Sequence, residues 1–185
     1  MTSAPSLPAI AMPPPATLLV SRARVPPHKR DLTHFLSANA SGRDWLVGDV
    51  HGHFSRLKAA MDAAGFNPLQ DRLLSVGDLV DRGPESPAVI EWLSQPWFYA
   101  IRGNHEQMFL EYHAQPSAAA RRRYMARAWE ANGGAWAARL TEAQRTAIAE
   151  QLQRLPYLMA VDVGAGVSLL LAHACMPSGS AWPTL

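Results

Sequence analysis

Two carboxylates and an arginine lie close together in the loop sequence Gly77–Gly83 (GDLVDRG), which directly follows the apolar run 73–76. A run of this length is typical of a buried strand, so Asp78 and Asp81 emerge where the strand ends and glycines let the backbone approach a ligand closely. Carboxylates in such a place need a cation, and Arg82 cannot neutralise both while it also binds a substrate. The loop therefore predicts a metal site.

Two further polar loops, Gly48–Gly52 (GDVHG) and Arg102–Glu106 (RGNHE), also follow short strand-like segments. Asp78 comes 29 residues after Asp49, and Asn104 comes 26 residues after Asp78. Both spacings are close to the roughly 30 residues of a strand-helix-strand unit. Parallel strands connected in this way place their loops at one edge of the sheet, so we expect the three loops to converge on one site.

Five side chains have the chemistry of metal ligands: Asp49, His51, Asp78, Asn104 and His173. Asp49 and His51 are two residues apart at a strand end, so an extended backbone would point both to one side, where they can bind one cation. The Asp78 carboxylate can bridge two cations. Oxygen and nitrogen ligands without thiolates favour manganese, iron or zinc. Two such ions about 3.5 to 4 Å apart can turn a bridging water into a hydroxide for in-line attack.

A proton donor and phosphate ligands lie beside these residues in the sequence. His105 directly follows a predicted ligand and can protonate a leaving oxygen, with Asp81 to orient the ring and stabilise the imidazolium. Arg82 and Arg102 can each bind phosphate oxygens through two N–H groups. The pattern predicts hydrolysis of a phosphoester without a covalent intermediate.

The elements that position these residues alternate between strands and helices in the first half of the chain. Ser55 is expected to cap a first helix, which ends at Gly65, and a second helix begins at residues 86–87. Residues 98–101 form the third strand, and a third helix follows. The sequence therefore predicts an α/β fold.

The second half is helical and ends in a hairpin. Residues 117–131 are predicted as one helix, and Thr141 starts another with a capping box. Residues 157–163 and 167–174 read as two strands joined by a glycine-rich turn, and the second strand delivers His173.

Composition limits the partners and the compartment. The 185-residue chain has a formal net charge of +2, but residues 1–30 hold four basic side chains and no acid, so the remainder has 13 basic and 15 acidic groups. That balance excludes a nucleic-acid-binding body. No run reaches the length of a membrane span. The single cysteine, Cys175, cannot form an internal disulfide and favours a reducing compartment, which we expect to be the cytoplasm.

The N-terminal segment has a different composition from the rest. Seven of the first 30 residues are proline. We expect residues 1–40 to be a disordered, proline-rich arm and residues 41–185 to form one domain.

The series GDVHG, GDLVDRG and RGNHE, followed by a late LAHA, resembles the phosphoprotein phosphatase family of calcineurin-like metallophosphoesterases, especially small bacterial and phage serine/threonine phosphatases. The resemblance covers about residues 43–177. It implies a metallophosphoesterase-type β-sandwich flanked by helices, a phosphorylated protein as substrate, and two divalent ions, with manganese usual for bacterial members.

The same resemblance implies roles for individual residues. A first ion would be held by Asp49, His51 and Asp78, and a second by Asp78, Asn104 and His173. His105 with Asp81 would form the acid pair. Arg82 and Arg102 would bind phosphate.

The chain also departs from the family pattern. Family members continue past the LAHA strand to a GHT-type motif with another metal-binding histidine, and to a further phosphate-binding arginine. Neither follows LAHA before Leu185. We therefore expect a fold that is incomplete at the C-terminus, a second metal site that is short of one ligand, and reduced activity.

Two other functions stay open. Diadenosine tetraphosphate hydrolases belong to the same superfamily, but they tend to carry VARG where this chain has Val80–Gly83 (VDRG), so Asp81 favours the phosphatase. The absent histidine motivates the other alternative, a non-catalytic remnant of a phosphatase.

Overall fold

The computed structural model describes residues 33–173, which form two three-stranded sheets. The strands in chain order are β1 (Thr33–Leu36), β2 (Asp44–Val47), β3 (Arg72–Ser75), β4 (Phe98–Ala100), β5 (Leu158–Gly164) and β6 (Val167–Ala172). β2, β3 and β4 make one parallel sheet in that order. In the other sheet β5 pairs parallel to β1 and antiparallel to β6. The predicted parallel units and the predicted hairpin are confirmed.

Five α-helices lie within residues 33–173: α1 (Phe54–Ala64), α2 (Val89–Leu93), α3 (Asn104–His113), α4 (Ala118–Tyr124) and α5 (Glu142–Gln153). Gly65 ends α1 in the left-handed conformation, as predicted. Thr141 and Gln144 form the predicted capping box of α5. None of these helices has the length and apolar composition that a membrane crossing requires.

Leu73 and Leu74 in β3 show how the layers are arranged. Successive residues of a strand point to opposite faces of the sheet. Leu73 packs in a core with Phe109 of α3 and Ile148 of α5, whereas Leu74 packs in a second core with Met159 of β5. The parallel sheet is therefore covered by helices on one face and by the second sheet on the other, which confirms the predicted β-sandwich flanked by helices.

The first strand corrects the expected boundary of the N-terminal arm. β1 pairs along its whole length with residues 158–161 of β5, and the Asn39 side chain donates a hydrogen bond to the Arg43 carbonyl oxygen. The expectation of disorder is therefore wrong for residues 33–40, while residues 1–32 lie outside the described part of the chain. The strand was missed because its partner lies 125 residues further along the sequence.

Two helix boundaries also differ from the sequence prediction. The N-cap of α1 is His53 rather than Ser55, whose hydroxyl and backbone N–H both bond to the Glu85 carboxylate. The helix expected over residues 117–131 leaves the α-helical geometry after α4 and continues as a π-helical turn, Met125–Trp129. Single π turns are frequent at functional sites, because the extra residue redirects the side chains that follow.

Candidate active site

The three polar loops meet at the carboxyl ends of β2, β3 and β4, as their spacing predicts. Backbone hydrogen bonds join the first two loops. The N–H groups of Val50 and His51 donate to the Asp78 carbonyl oxygen at 3.1 and 2.8 Å, and the Gly83 N–H donates to the His51 carbonyl oxygen at 2.9 Å. Hydrogen bonds between the first two loops therefore fix the backbone that carries these side chains.

Four residues of the site have a backbone in the left-handed region. The φ angles of His51, Asp78, Asp81 and Arg82 are 45°, 53°, 72° and 64°. Among residues 33–173, the one other non-glycine residue with a positive φ is Ala165 in the hairpin turn. Each such residue costs on the order of 1 kcal/mol, and strain of this kind concentrates where side chains must be aimed at a ligand.

Asp78 lies at the centre of the site and is buried. Its Oδ2 lies 3.8 Å from Nε2 of His51 and of His105, and its Oδ1 lies 3.4 Å from Nε2 of His173. Asp49 Oδ2 lies 3.8 Å from His51 Nε2. Two groups, His51-Asp78-His105 and Asp49-Asp78-His173, each place ligand atoms within 4.8 Å of one another. Asp78 belongs to both groups, but the groups differ from the two predicted ligand sets, because one contains His105 and the other joins Asp49 with His173. The predicted division of the ligands between two ions stays a prediction.

His173 reaches the site from the second sheet. Its Nδ1–H donates to the Val76 carbonyl oxygen at 2.7 Å, and its Nε2 lies 3.0 Å from Asn104 Oδ1. The hydrogen bond with Asp78 raises the pKa of His173 to about 9, against the effect of burial. Burial raises the pKa of Asp78, but hydrogen bonds from His173 and from the His105 backbone N–H outweigh it and lower that pKa. His173 Nε2 thus lies within 3.4 Å of both Asp78 and Asn104, the two residues with which it is predicted to share an ion.

His105 and Asp81 form a buried pair. His105 Nδ1–H donates to Asp81 Oδ2 at 2.7 Å, and the two side chains are 1% and 0% exposed. The other ring nitrogen, Nε2, points toward Asp78 and lies 3.1 Å from the Arg82 guanidinium. Arg82 also lies 2.7 Å from His51 Nε2. The structure thus brings Arg82, the predicted acid and the predicted ligands together.

Arg102 has different surroundings from Arg82. Its guanidinium donates to the Tyr157 hydroxyl at 2.8 Å and to the Gln153 carbonyl oxygen at 2.5 Å, and it lies 4.7 Å from the Tyr157 ring centroid. Its backbone N–H donates to the Pro156 carbonyl oxygen at 2.7 Å. The structure therefore does not bring Arg102 together with the other site residues, because the end of α5 and the segment after it hold its guanidinium. Its assignment as a phosphate ligand stays a prediction.

Comparison with known proteins identifies the family of this site. The sequence pattern of the calcineurin-like phosphoesterases matches residues 43–161, which is more than half of the chain. The chain belongs to the calcineurin-like phosphoesterase family. The matched residues contain the three polar loops, whereas His173 lies beyond them.

Curated relatives of this phosphoesterase include protein phosphatases and nucleotide hydrolases. Serine/threonine-protein phosphatase 1 of Salmonella typhimurium is 42% identical over 140 residues, which are 74% of this chain and 60% of that protein. Serine/threonine-protein phosphatase 2 of Escherichia coli is 35% identical over 136 residues, 72% of this chain and 58% of that protein. The symmetrical bis(5'-nucleosyl)-tetraphosphatase of Photorhabdus laumondii is 39% identical over 72 residues, 38% of this chain and 26% of that protein. This chain spans about three fifths of the length of the two phosphatases.

A solved structure supports the fold of the phosphoesterase. A crystal structure described provisionally as a diadenosine tetraphosphatase superposes with a TM-score of 0.53 at 24% sequence identity. The match covers 80% of this chain and 57% of that chain. At this identity the likeness supports the fold alone.

The donor atoms of the candidate site fit the divalent ions that the family implies. The two groups around Asp78 offer carboxylate oxygens and imidazole nitrogens, without a thiolate. Such a mixed set suits manganese, iron or zinc. Asn104 Oδ1, close to His173, adds a neutral oxygen to the second group.

Sequence reasoning missed Glu106, the last residue of RGNHE. Its fully buried carboxylate accepts hydrogen bonds from the backbone N–H groups of Asp78, Leu79 and Gly103 at 2.7 to 2.8 Å. Burial raises the pKa of Glu106, and these N–H groups oppose that shift. The available signal was its position in the first turn of a helix, where glutamates bond to free backbone N–H groups. Glu106 holds the loop that carries Asp78.

Two tryptophans were missed as well. The indole N–H groups of Trp129 and Trp136 donate to the Asp81 carboxylate. They lie 48 and 55 residues after Asp81, so no local pattern in the sequence connects them to it.

Replacing Glu106 with glutamine is expected to lower the free energy of unfolding by about 3 kcal/mol, because an NH₂ group would then face backbone N–H donors inside the protein. Urea unfolding followed by circular dichroism measures this change. Glu91→Gln makes the same replacement on the exposed side of α2 and is expected to change stability by less than about 0.5 kcal/mol. Equal stabilities of the two variants would contradict the role given to Glu106.

Proposed function

We propose that this phosphoesterase is a metal-dependent phosphatase that hydrolyses phosphoserine and phosphothreonine in proteins. The observation that carries the proposal is the buried His105–Asp81 pair directly beside Asp78, which both candidate ligand groups share. A positioned acid next to a two-ion centre is what phosphomonoester hydrolysis requires. Similarity to two bacterial serine/threonine-protein phosphatases over more than 70% of this chain supports the choice of substrate.

The ions, which we propose to be manganese with iron and zinc as alternatives, would be held by Asp49, His51, Asp78, Asn104 and His173. When bound, the two ions supply Lewis acidity and lower the pKa of the water that attacks phosphorus.

The remaining steps belong to residues of this chain. Arg82 binds the phosphate oxygens, since its guanidinium lies 2.7 Å from His51 Nε2 and 3.1 Å from His105 Nε2. His105, as the imidazolium that Asp81 stabilises, donates its Nε2 proton to the leaving serine or threonine oxygen. Asp81 accepts from Nδ1–H, which fixes the ring so that Nε2 faces the substrate.

The proposed partner is a phosphorylated protein, in the cytoplasm. The near-neutral charge of residues 31–185 does not favour nucleic acid, and the single cysteine suits a reducing compartment.

Phosphate release from a phosphoserine peptide tests the proposal. The protein with added Mn²⁺ is expected to release phosphate, to lose that activity in excess EDTA, and to recover it when Mn²⁺ is restored. A folded sample that releases no phosphate at any Mn²⁺ concentration would overturn the proposal. If that sample also binds one ion rather than two, the protein is a non-catalytic remnant.

Hydrolysis of diadenosine tetraphosphate is the second candidate function. It is favoured by 39% identity to a symmetrical bis(5'-nucleosyl)-tetraphosphatase, although that match covers only 38% of this chain. The residue pattern of Val80–Gly83 (VDRG) favours the protein phosphatase. Cleavage of the dinucleotide by a sample that ignores the phosphopeptide would decide for the nucleotide hydrolase.

A further inference from the structure

The Asp81 carboxylate is fully buried and accepts three side-chain hydrogen bonds. Besides the bond from His105, the Trp129 indole N–H donates to Oδ2 at 2.5 Å and the Trp136 indole N–H donates to Oδ1 at 2.6 Å. An indole N–H can only donate, and it carries no charge. Two of the three partners of Asp81 therefore orient the carboxylate but cannot accept a proton from His105.

The three bonds fix the plane of the carboxylate. His105 and Trp129 share Oδ2, and Trp136 occupies Oδ1, so a rotation of the group about its last bond would break at least one of them. The Asp81 backbone N–H is also fixed, because it donates to Ser86 Oγ at 2.8 Å. The bonds to the backbone N–H and to the carboxylate together fix the direction in which Oδ2 points at His105.

The segment that carries the tryptophans is built against this loop. Trp129 ends the π-helical turn. Gly133, with a φ of 91°, lies so close to Arg82 that a Cβ atom at this position would be 2.5 Å from the Arg82 backbone nitrogen. A Cβ atom on Gly134 would collide with the Trp129 ring. The glycines of Asn132-Gly133-Gly134 therefore allow this segment to pack closely enough for both indoles to reach Asp81.

Aromatic packing holds both indoles in place. Trp136 stacks on Phe109 with an interplanar angle of 17° and a centroid distance of 5.4 Å. Trp129 meets the same Phe109 edge-on at 5.9 Å. Both side chains therefore contact α3, the helix whose first turn contains His105. The acid and the two groups that orient its partner are supported by one helix.

We propose that Trp129 and Trp136 are positioning residues for phosphoester cleavage: their indole N–H groups hold the Asp81 carboxylate so that it fixes His105 with Nε2 facing the leaving oxygen. This inference rests on the proposed phosphatase function. It adds two residues that lie outside the three polar loops and that act only through Asp81 and His105.

Trp136→Phe tests this role, because it removes one N–H donor and keeps an aromatic ring to stack on Phe109. With Mn²⁺ present, kcat for a phosphoserine peptide is expected to fall about tenfold, and KM to stay within about twofold. The fall is expected to be much smaller with p-nitrophenyl phosphate, since its leaving group needs little protonation. A loss of packing alone would reduce both rates equally and would overturn the proposal.

Trp45→Phe is the matched control. The Trp45 indole N–H also donates to a buried carboxylate, Asp71 Oδ2, at 3.1 Å, but this pair lies outside the site. The control is expected to keep both rates within about twofold of the unaltered protein. If it shows the same selective loss as Trp136→Phe, the inference is wrong.

A second measurement needs neither activity nor a variant. In the NMR spectrum of the metal-free protein, the indole protons of Trp129 and Trp136 and the Nδ1 proton of His105 are expected to be slow in exchange with solvent. Rapid exchange of the two indole protons would overturn the inference even if Trp136→Phe fails to fold. If the protons are protected but the unaltered protein has no phosphatase activity, the proposed function fails while the hydrogen-bond arrangement stands.

Discussion

Asp78→Asn is expected to lower kcat/KM for a phosphoserine peptide by about a thousandfold. Asp78 is the one side chain that both candidate ligand groups share, and its two oxygens face His173 on one side and His51 with His105 on the other. Asparagine has nearly the same shape, but it loses the negative charge and one oxygen ligand. It also tolerates the φ of 53° at this position, so the backbone of the loop is expected to keep its conformation.

Ion binding and phosphate release measure the effect of Asp78→Asn separately. Titration calorimetry with Mn²⁺ is expected to show two bound ions in the unaltered protein and at most one in the variant. Asp62→Asn, on the exposed surface of α1, makes the same chemical change and is expected to leave binding and activity unchanged. If Asp78→Asn retained two ions and full activity, the centre of the site would be assigned wrongly.

His105→Asn is expected to lower kcat for the phosphoserine peptide by about a thousandfold while the ions stay bound. His105 is buried, donates to Asp81 through Nδ1, and presents Nε2 to the centre. Asparagine keeps the backbone N–H that donates to Asp78 Oδ1 at 3.0 Å, so the bridging carboxylate keeps this support. The variant therefore separates proton donation from ion binding.

The leaving group of the substrate gives the sharpest comparison for His105→Asn. The loss is expected to be largest with the serine phosphoester and much smaller with p-nitrophenyl phosphate, because a nitrophenolate leaves without a proton. His34→Asn on the exposed side of β1 is the control and is expected to have no effect on either substrate. Equal losses on both substrates, together with a reduced number of bound Mn²⁺ ions, would show that His105 is a ligand rather than the acid.

The convergence of the three loops could be predicted because it follows from spacing and topology. Asp49, Asp78 and Asn104 each follow a strand of one parallel sheet, and parallel strands connected by helices end at the same edge. The backbone of the neighbouring residues in each loop then had to pass near the same point. The Asp81–His105 contact follows from this rule, although the two residues are 24 positions apart.

Side-chain direction could not be predicted in the same way. Arg102 is two residues from Asn104, yet its guanidinium is held by Tyr157 and Gln153, which come about 50 residues later. The position of a residue beside a predicted metal ligand in the sequence determines only where its backbone lies. The direction of a long side chain depends on tertiary partners, and for Arg102 these come from the far end of α5 and the segment after it.

Long-range pairing explains the other omissions. β1 was missed because its partner β5 is 125 residues away, and a four-residue strand carries too weak a pattern of its own. Trp129 and Trp136 were missed because the only sign of their role is a bond to Asp81 across about 50 residues. A sequence pattern reports local geometry, whereas these contacts depend on the assembled core.

The position of His173 has a mechanical consequence. It follows β6 in the second sheet, while Asp78 and Asn104 extend from the parallel sheet, and its Nδ1–H donates to Val76 at the end of β3. An ion held by these residues would therefore cross-link the two layers of the sandwich, and its binding would stabilise their packing by mass action. Sliding of one sheet over the other by about 1 Å would move a ligand out of coordination distance, so ion binding would depend on the rigidity of the sandwich.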